Sequence, residues 1–302
     1  MLKVFSIEKD FVGARLDKWI RKNICEVPQG LIEKSIRKGN IKINNKKCKS
    51  SYKLQTDDKI IIANFNPIID KHKKNKQKYK ATKKELSSSS GFVIEDNENF
   101  IVVNKPSGLA VQSGTKSKRN LLDILSKTKF FSNTLPYSVH RIDKETTGVL
   151  IVAKNRKYAQ LFTSLFRIRK IHKTYLGIAL GEFDKPKGTL IDLLIYKEGK
   201  KIVKAKAITH YKVLDSNNNY SLLKLNPETG RKHQLRKQLL IHNHPILGDT
   251  KYRISNTNSK KNILMLHSYK INFSINDKKY EFIAEPSAQF KNTLKEKYLK
   301  SF

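Results

Sequence analysis

Cysteine is nearly missing from this chain of 302 residues. The two present, Cys25 and Cys48, form no CxxC pair. Two such thiols build no disulfide framework, so they read as reduced structural residues. No run reaches the roughly 18 apolar residues of a membrane span. The opening "MLKVFSIEKDFVG" carries charges where a secretory signal has an apolar core. A cytoplasmic protein is therefore expected. A glycine-rich phosphate loop, an HExxH motif and a cysteine cluster are all missing, so neither a cofactor nor a metal is expected.

Acidic residues are also scarce. Asp and Glu total 26 against 62 Lys and Arg, which leaves a net charge of +36. Lysine, asparagine and isoleucine are all abundant, as in a low-GC genome, so base composition accounts for some of the lysine. Such a bias would enrich glutamate as well, and glutamate is not enriched. The imbalance points to a polyanionic partner, nucleic acid above all, bound with steep salt dependence. Charge alone does not separate RNA from DNA. A hydrophobic content of 38% allows one large domain or two.

Three segments follow one another. In "GARLDKWIRK" Leu16, Trp19, Ile20 and Ile24 share one helical face, and Arg15, Lys18 and Lys22 lie on the other. Pro28 opens a second helix, with Leu31, Ile32 and Ile36 facing inward and Lys34, Arg37 and Lys38 outward. Gly39 ends it. "IKINNKK" and "DKIIIANF" read as strands. Residues 67–90 have few apolar residues, no periodicity and excess lysine, and are expected to be a mobile basic linker. From residue 91 strands dominate: "GFVIEDNENFIVVNKP" as a pair, then "GVLIVAKN", "KTYLGIALG", "KAKAITHYKVL", "YSLLKLNP", "YKINFSI" and "KKYEFIA". Helices are expected at "YAQLFTSLFRIR", "RKHQLRKQLLIH" and "QFKNTLKEKYLK". Strands joined mostly by turns predict a mixed, largely antiparallel sheet with flanking helices, an α+β fold. No long heptad run suggests a dimer, so a monomer is expected.

Two stretches could carry chemistry. In "SVHRIDKETTGVLIVAKN" Asp143 precedes a strand that can anchor its backbone at a cleft, with Arg141 two residues away. A carboxylate among cations suits a nucleophile or base better than a proton donor. An ordinary turn stabilised by Asp and Thr side chains is the competing reading. In "PETGRKHQLRKQLL" a helix is expected to begin near Arg231, which places His233 and Arg236 on one face. Two arginines and a histidine at a helix start read as an anion site. A solvated basic helix competes with that reading. So does a metal site using His242 and His244, but its usual companions are missing. Tyr175 lies in an alternating strand, where an aromatic is more often core than functional.

Residues 13 to 64 resemble the αL RNA-binding motif first known from a small ribosomal-subunit protein, with Asp57 where a glycine is usual. Further on, "NKPSGLAVQ", "HRIDKETTGVLIVAKN", "KTYLGIALG", "PETGRKHQLR" and "HPILGDTKY" follow the order and approximate spacing of the RluA family of RNA pseudouridine synthases. That resemblance spans about residues 92 to 286. The module in front, and "VPQGLIEKSIRKGNIKIN" within it, favour the C-type branch over the D-type. The resemblance implies an αL domain at 1–66, a linker at 67–90 and a synthase domain at 91–302. It implies isomerisation of uridines in 23S rRNA or its precursor, with no cofactor. Asp143 matches the catalytic aspartate, Tyr175 the tyrosine that stacks on the base and accepts its carbon-5 proton, and Arg236 the arginine that pairs with the aspartate. Arg141 matches the arginine that fills the space of the displaced uridine. Arg231 is assigned to structure or RNA contact, and Arg15, Lys18, Arg37 and Lys38 to RNA contact. Thr147 stands where serine is usual. Lys237 and Gln238 replace a small apolar residue and a histidine. The same chemistry on tRNA or other rRNA sites, and a binding factor that has lost the chemistry, are the rival readings.

Overall fold

The structure is a computed structural model that describes residues 2–8, 11–24, 28–63, 82, 90–113, 119–198, 201–254 and 263–300. Cys25 and almost all of the segment 67–90 lie outside the described residues. The chain divides into two compact units, Met1–Gln77 and Lys78–Phe302. Among the described residues no helix is long and apolar enough to cross a membrane.

The first unit packs helices α1 (Leu16–Asn23) and α2 (Gln29–Arg37) on a three-stranded antiparallel sheet. Its strands are β1 (Leu2–Ser6), β2 (Ile41–Ile43) and β3 (Lys59–Ala63), in the order β1-β3-β2. Leu16, Trp19, Ile20, Ile32 and Ile36 face its core. Leu31, expected to face inward, is 38% exposed, because the short apolar stripe of α2 is filled by Ile32 and Ile36. Asp17 is buried in the first turn of α1, where the helix N-terminus favours an acid. It accepts from Arg15 Nε at 3.1 Å, from the Arg15 guanidinium at 2.6 Å and from Gln29 Nε2 at 2.7 Å, which ties the two helices together. Asp57 has φ +68, the left-handed conformation that glycine adopts without cost and Asp tolerates.

The second unit is built on one sheet. Its strands are β4 (Val93–Asp96), β5 (Phe100–Lys105), β6 (Tyr137–Ser138), β7 (Thr147–Ala153), β8 (His172–Leu180), β9 (Lys187–Glu198), β10 (Lys201–Asn217), β11 (Tyr220–Pro227), β12 (Leu266–Ile275) and β13 (Lys278–Ile283). The main order is β4-β5-β7-β12-β8-β11-β10-β9, with β13 on β12 and β6 on β7. Among these strands only the β7–β12 pair is parallel. β5 and β7 are buried on both faces, which explains their unbroken apolar runs. Phe100, Val102, Val149 and Ile151 pack under helix α4 (Arg156–Arg167); Ile101, Val103, Leu150 and Val152 pack against helix α3 (Leu121–Leu125). Helices α5 (Gln234–Ile241) and α6 (Ala288–Glu296) complete the core around β8 and β11.

Gly148 explains how β7 and β12 can meet. Its φ is +108, and a Cβ there would stand 2.1 Å from the Ser268 carbonyl oxygen. Only glycine permits that crossing. It lies five residues after Asp143, so the backbone that fixes the parallel pair also fixes the loop carrying the acid.

Candidate active site

Asp143 stands on the loop between β6 and β7 and lines a cleft of about 640 Å³. Its carboxylate does not stabilise its own turn. It reaches across to Arg236, whose NH1 donates to Oδ2 at 3.2 Å. Its side chain is 25% exposed, so the acid is both held and open to the cleft. His233 Nε2 lies 3.7 Å from Oδ1.

Arg236 is itself clamped from behind. Its Nε and NH2 donate to the two oxygens of Asp249 at 2.7 and 2.8 Å, a bidentate fork. The Asp249 side chain is fully buried and the Arg236 side chain only 8% exposed. The Lys251 and Tyr252 amides also donate to Asp249 Oδ1. Burial on its own raises the Asp249 carboxyl. The Arg236 hydrogen bond, the two amides and the Arg236 charge outweigh it and hold the group below its ordinary value. For Arg236, burial pulls the guanidinium down, but its bonds and proximity to Asp249, then Asp143, raise it.

Helix α5 starts at Gln234, later than the expected start near Arg231. His233 is its N-cap and adopts a left-handed conformation, φ 55 and ψ 33. The reason lies in the loop. Gln234 accepts from the Arg231 amide and the Thr229 hydroxyl and donates to the Ile208 carbonyl, so the chain is still turning there. His233 and Arg236 therefore converge on Asp143 from a loop and a helix, not from one helical face. His233 Nδ1 lies 2.9 Å from the Tyr252 hydroxyl, and the Arg236 guanidinium packs over the Tyr252 ring at 5.1 Å.

The other expected residues divide. Tyr175 on β8 lines the cleft. Burial pushes its phenol up to about 12, a hydrogen bond with Ser268 opposes this, and the Asp143 charge adds to the rise. Arg141 is exposed at the cleft, and Arg231 also lines it while donating to the Lys206 carbonyl at 3.2 Å. Arg15, Lys18, Arg37 and Lys38 are exposed on the first unit, with the Arg15 guanidinium bound to Asp17. Gln238 is buried and joins Thr209 to Asp192, so that departure from the resemblance is structural. Lys237 donates to the Ile195 carbonyl. His242 and His244 are engaged separately, one with Asp192 at 3.3 Å and the other with the Leu180 carbonyl at 3.0 Å. Thr147 meets His267 Nδ1 at 2.7 Å through a hydroxyl that serine would also supply.

Three contributors have no signal of their own in the sequence. Asp249 lies in the quoted "HPILGDTKY", and only its long-range partner reveals its part. Lys105, in "NKPSGLAVQ", is fully buried, and its Nζ donates to the carbonyls of Pro106, Leu109 and Lys144 at 2.8 to 2.9 Å. Burial draws that ammonium down to about 7, with Glu145 and Asp143 pulling the other way. It ties the end of β5 to the residue after Asp143. His140 stacks on Phe166 at 4.5 Å and accepts from the Ile151 amide. Burial and the nearby charge of Lys173 lower it to about 3, so it is neutral at pH 7.

Residues 99–240 match the family model described as RNA pseudouridylate synthase. A curated relative from Buchnera aphidicola subsp. Schizaphis graminum (strain Sg), ribosomal large subunit pseudouridine synthase C, is 31% identical, covering 97% of this chain and 96% of its own. A protein of the same name from Buchnera aphidicola subsp. Baizongia pistaciae (strain Bp) is 33% identical, covering 86% and 85%. Among solved structures, human RNA pseudouridylate synthase domain containing 4 is 25% identical with a TM-score of 0.62, covering 72% of this chain and 96% of that one.

Asp249→Asn should lower stability at pH 7 by about 3–5 kcal/mol, because it leaves a buried guanidinium without its main partner. The folded-state value of Asp249 lies below its ordinary value of 3.8. Its contribution is thus fully present above about pH 4 and is lost as pH falls through the lower folded value. Urea titrations should show a gap between wild type and variant at neutral pH that narrows in acid. Equal midpoints at pH 7 would contradict the clamp.

Proposed function

The chain belongs to the RNA pseudouridylate synthase family, and on that footing we propose that it isomerises uridines of large-subunit ribosomal RNA, 23S rRNA or its precursor, to pseudouridine, with Asp143 as the catalytic carboxylate. The observation that carries this is the contact between Asp143 and Arg236, 93 residues apart in sequence, at the wall of an open cationic cleft. The printed names of the two Buchnera relatives support the large-subunit target.

The chemistry matches the parts. A stacked uridine must first leave its helix, at a cost of a few kcal/mol. Phosphate contacts offset that cost, and Arg141 fills the space left behind. The bond between ribose C1′ and uracil N1 then breaks, its electrons staying with the ring, and Asp143 assists at the sugar. The uracil turns against the Tyr175 ring and rejoins C1′ through C5. C5 loses its proton and N1 gains one. Atoms and electrons balance within the nucleotide, so the reaction consumes no cofactor or co-substrate. Arg236 holds Asp143 toward the ribose. The Tyr175 phenol keeps its own proton at neutral pH. It therefore suits stacking, and it can accept the C5 proton only after giving up its own.

Residues 1–66 are assigned as an αL RNA-binding domain, 67–90 as a linker and 91–302 as the catalytic domain. Exposed Lys18 on α1, Arg37 at the end of α2 and Lys38 just after it support the first assignment, with the Arg15 guanidinium held by Asp17. Arg231 joins the RNA footprint in the cleft. We read the protein as a cytoplasmic monomer.

Asp143→Ala should still bind rRNA but release no tritium from uridine labelled at C5; release near the wild-type rate would remove Asp143 from catalysis. Deleting residues 1 to 64 should weaken rRNA binding and reduce its dependence on salt, because fewer phosphates are neutralised. An unchanged slope of log Kd against log salt would take the module out of the RNA footprint.

A further inference from the structure

Lys173 lies two residues before Tyr175 on β8, and the strand's period of two puts both side chains on one face. Both line the cleft. Lys173 is half-buried, its ammonium is lowered by burial, and no acid opposes the shift. Among the described residues no hydrogen bond or ion pair reaches its Nζ. A Cβ built on Gly230 would lie 3.9 Å from that nitrogen, so the ammonium abuts the loop between β11 and α5. Its neighbour His140 is neutral at pH 7 and so adds no repulsion to it.

The remaining buried cations of this unit are satisfied by the chain itself. Lys105 has three carbonyls, and Arg236 has two carboxylates. The acids of the cleft are taken as well. Asp143 meets Arg236, and Glu228 meets His210 at 2.6 Å. Among the described residues no buried side-chain nitrogen is left without a partner, so the unpartnered Lys173 ammonium is open to the cleft. The cleft therefore presents an ammonium that no group of the described chain engages. Arg169 and Arg231 line the same cleft, and several cations around a glycine-bearing loop suit an oxyanion whose charge is spread over more than one oxygen. A neutral uracil carbonyl would need none of them.

We propose that Lys173 seats a phosphodiester of the RNA strand directly flanking the uridine drawn into the cleft, with a non-bridging oxygen accepting from Nζ. The proposal rests on the reading of the cleft as a pseudouridylate synthase site. It deepens that reading by naming a residue that seats the strand's backbone beside the target uridine. The phosphate lies on the Tyr175 face of β8, about 7 Å along the strand from the ring's own position. One nucleotide can bridge that step. Lys173 is then a binding and positioning residue that draws the nucleotide out by its backbone while the base meets Tyr175.

The test is a cycle between side chain and phosphate. An rRNA fragment from which the wild-type chain releases tritium is prepared with a single neutral methylphosphonate 5′ or 3′ of the target uridine. Binding is measured in an Asp143→Ala background with Lys173 or with Lys173→Met. With Lys173, one of the two methylphosphonates should weaken binding by about tenfold or more, as expected for loss of a charge-assisted bond. With Lys173→Met that same replacement should cost less than about twofold, and the slope of log Kd against log salt should fall by about one. Equal penalties in both proteins at both positions overturn the proposal, and a merely structural role for Lys173 gives that result. If Lys173→Met does not fold, the Lys173 protein decides alone: no penalty at either phosphate overturns the proposal. If the wild-type chain releases no tritium from any rRNA fragment, the synthase reading and the proposal fail together. Release with equal penalties sinks the proposal only.

Discussion

A single guanidinium divided between two carboxylates organises the second unit. Arg236 gives its fork to Asp249, which is wholly inside, and its remaining edge to Asp143, which is half in the cleft. The inner pair is costly to bury and is stable only because its geometry is bidentate and two backbone amides complete Asp249. That inner pair is what fixes the outer one. A lone arginine at the end of a helix would sweep a wide arc; one clamped at Nε and NH2 presents NH1 in a single direction. The Asp143 carboxylate is therefore aimed by a residue that is itself clamped from inside the fold.

The loop of Asp143 is fixed from two further sides. Gly148 lets β7 and β12 approach to a distance that a methyl group would forbid, and that crossing sets where the loop leaves the sheet. Lys105 spends all three of its hydrogens on carbonyls, one of them Lys144. Backbone geometry and a buried cation thus hold the acid's main chain, while Arg236 holds its side chain. On the proposed function such redundancy keeps the carboxylate placed for its substrate, where small displacements are costly.

Much of this is readable from the chain. The apolar runs of β5 and β7, the alternation in β8 and β11 and the stripe of α4 each match a simple period, and the structure places elements there. Strand β9 leaves no such pattern, because Leu190 and Leu194 point inward while Ile191, Leu193 and Ile195 point out and remain exposed, so no alternation survives. Strand β1 is hidden for the same reason, with Leu2 and Val4 exposed. Helix α3 has only five residues, too few for a period to show. The site divides along another line. Asp143, Tyr175 and Arg236 stand in recognisable stretches. Asp249 and Lys105 acquire meaning only from partners far off in sequence or from carbonyls, which leave no side-chain signature. His233 is expected on a helix, but a glutamine satisfying the preceding loop keeps it off.

The central claim is that Arg236 acts by holding Asp143 and not by binding RNA, and the single-turnover rate of tritium release by Arg236→Gln at saturating RNA tests it most directly. The rate should fall by at least about 100-fold, the scale seen when a preorganised partner is removed from a reacting group. The dissociation constant for RNA should stay within a few fold of wild type. A rate within about twofold of wild type, or a loss wholly explained by weaker binding, would contradict the account.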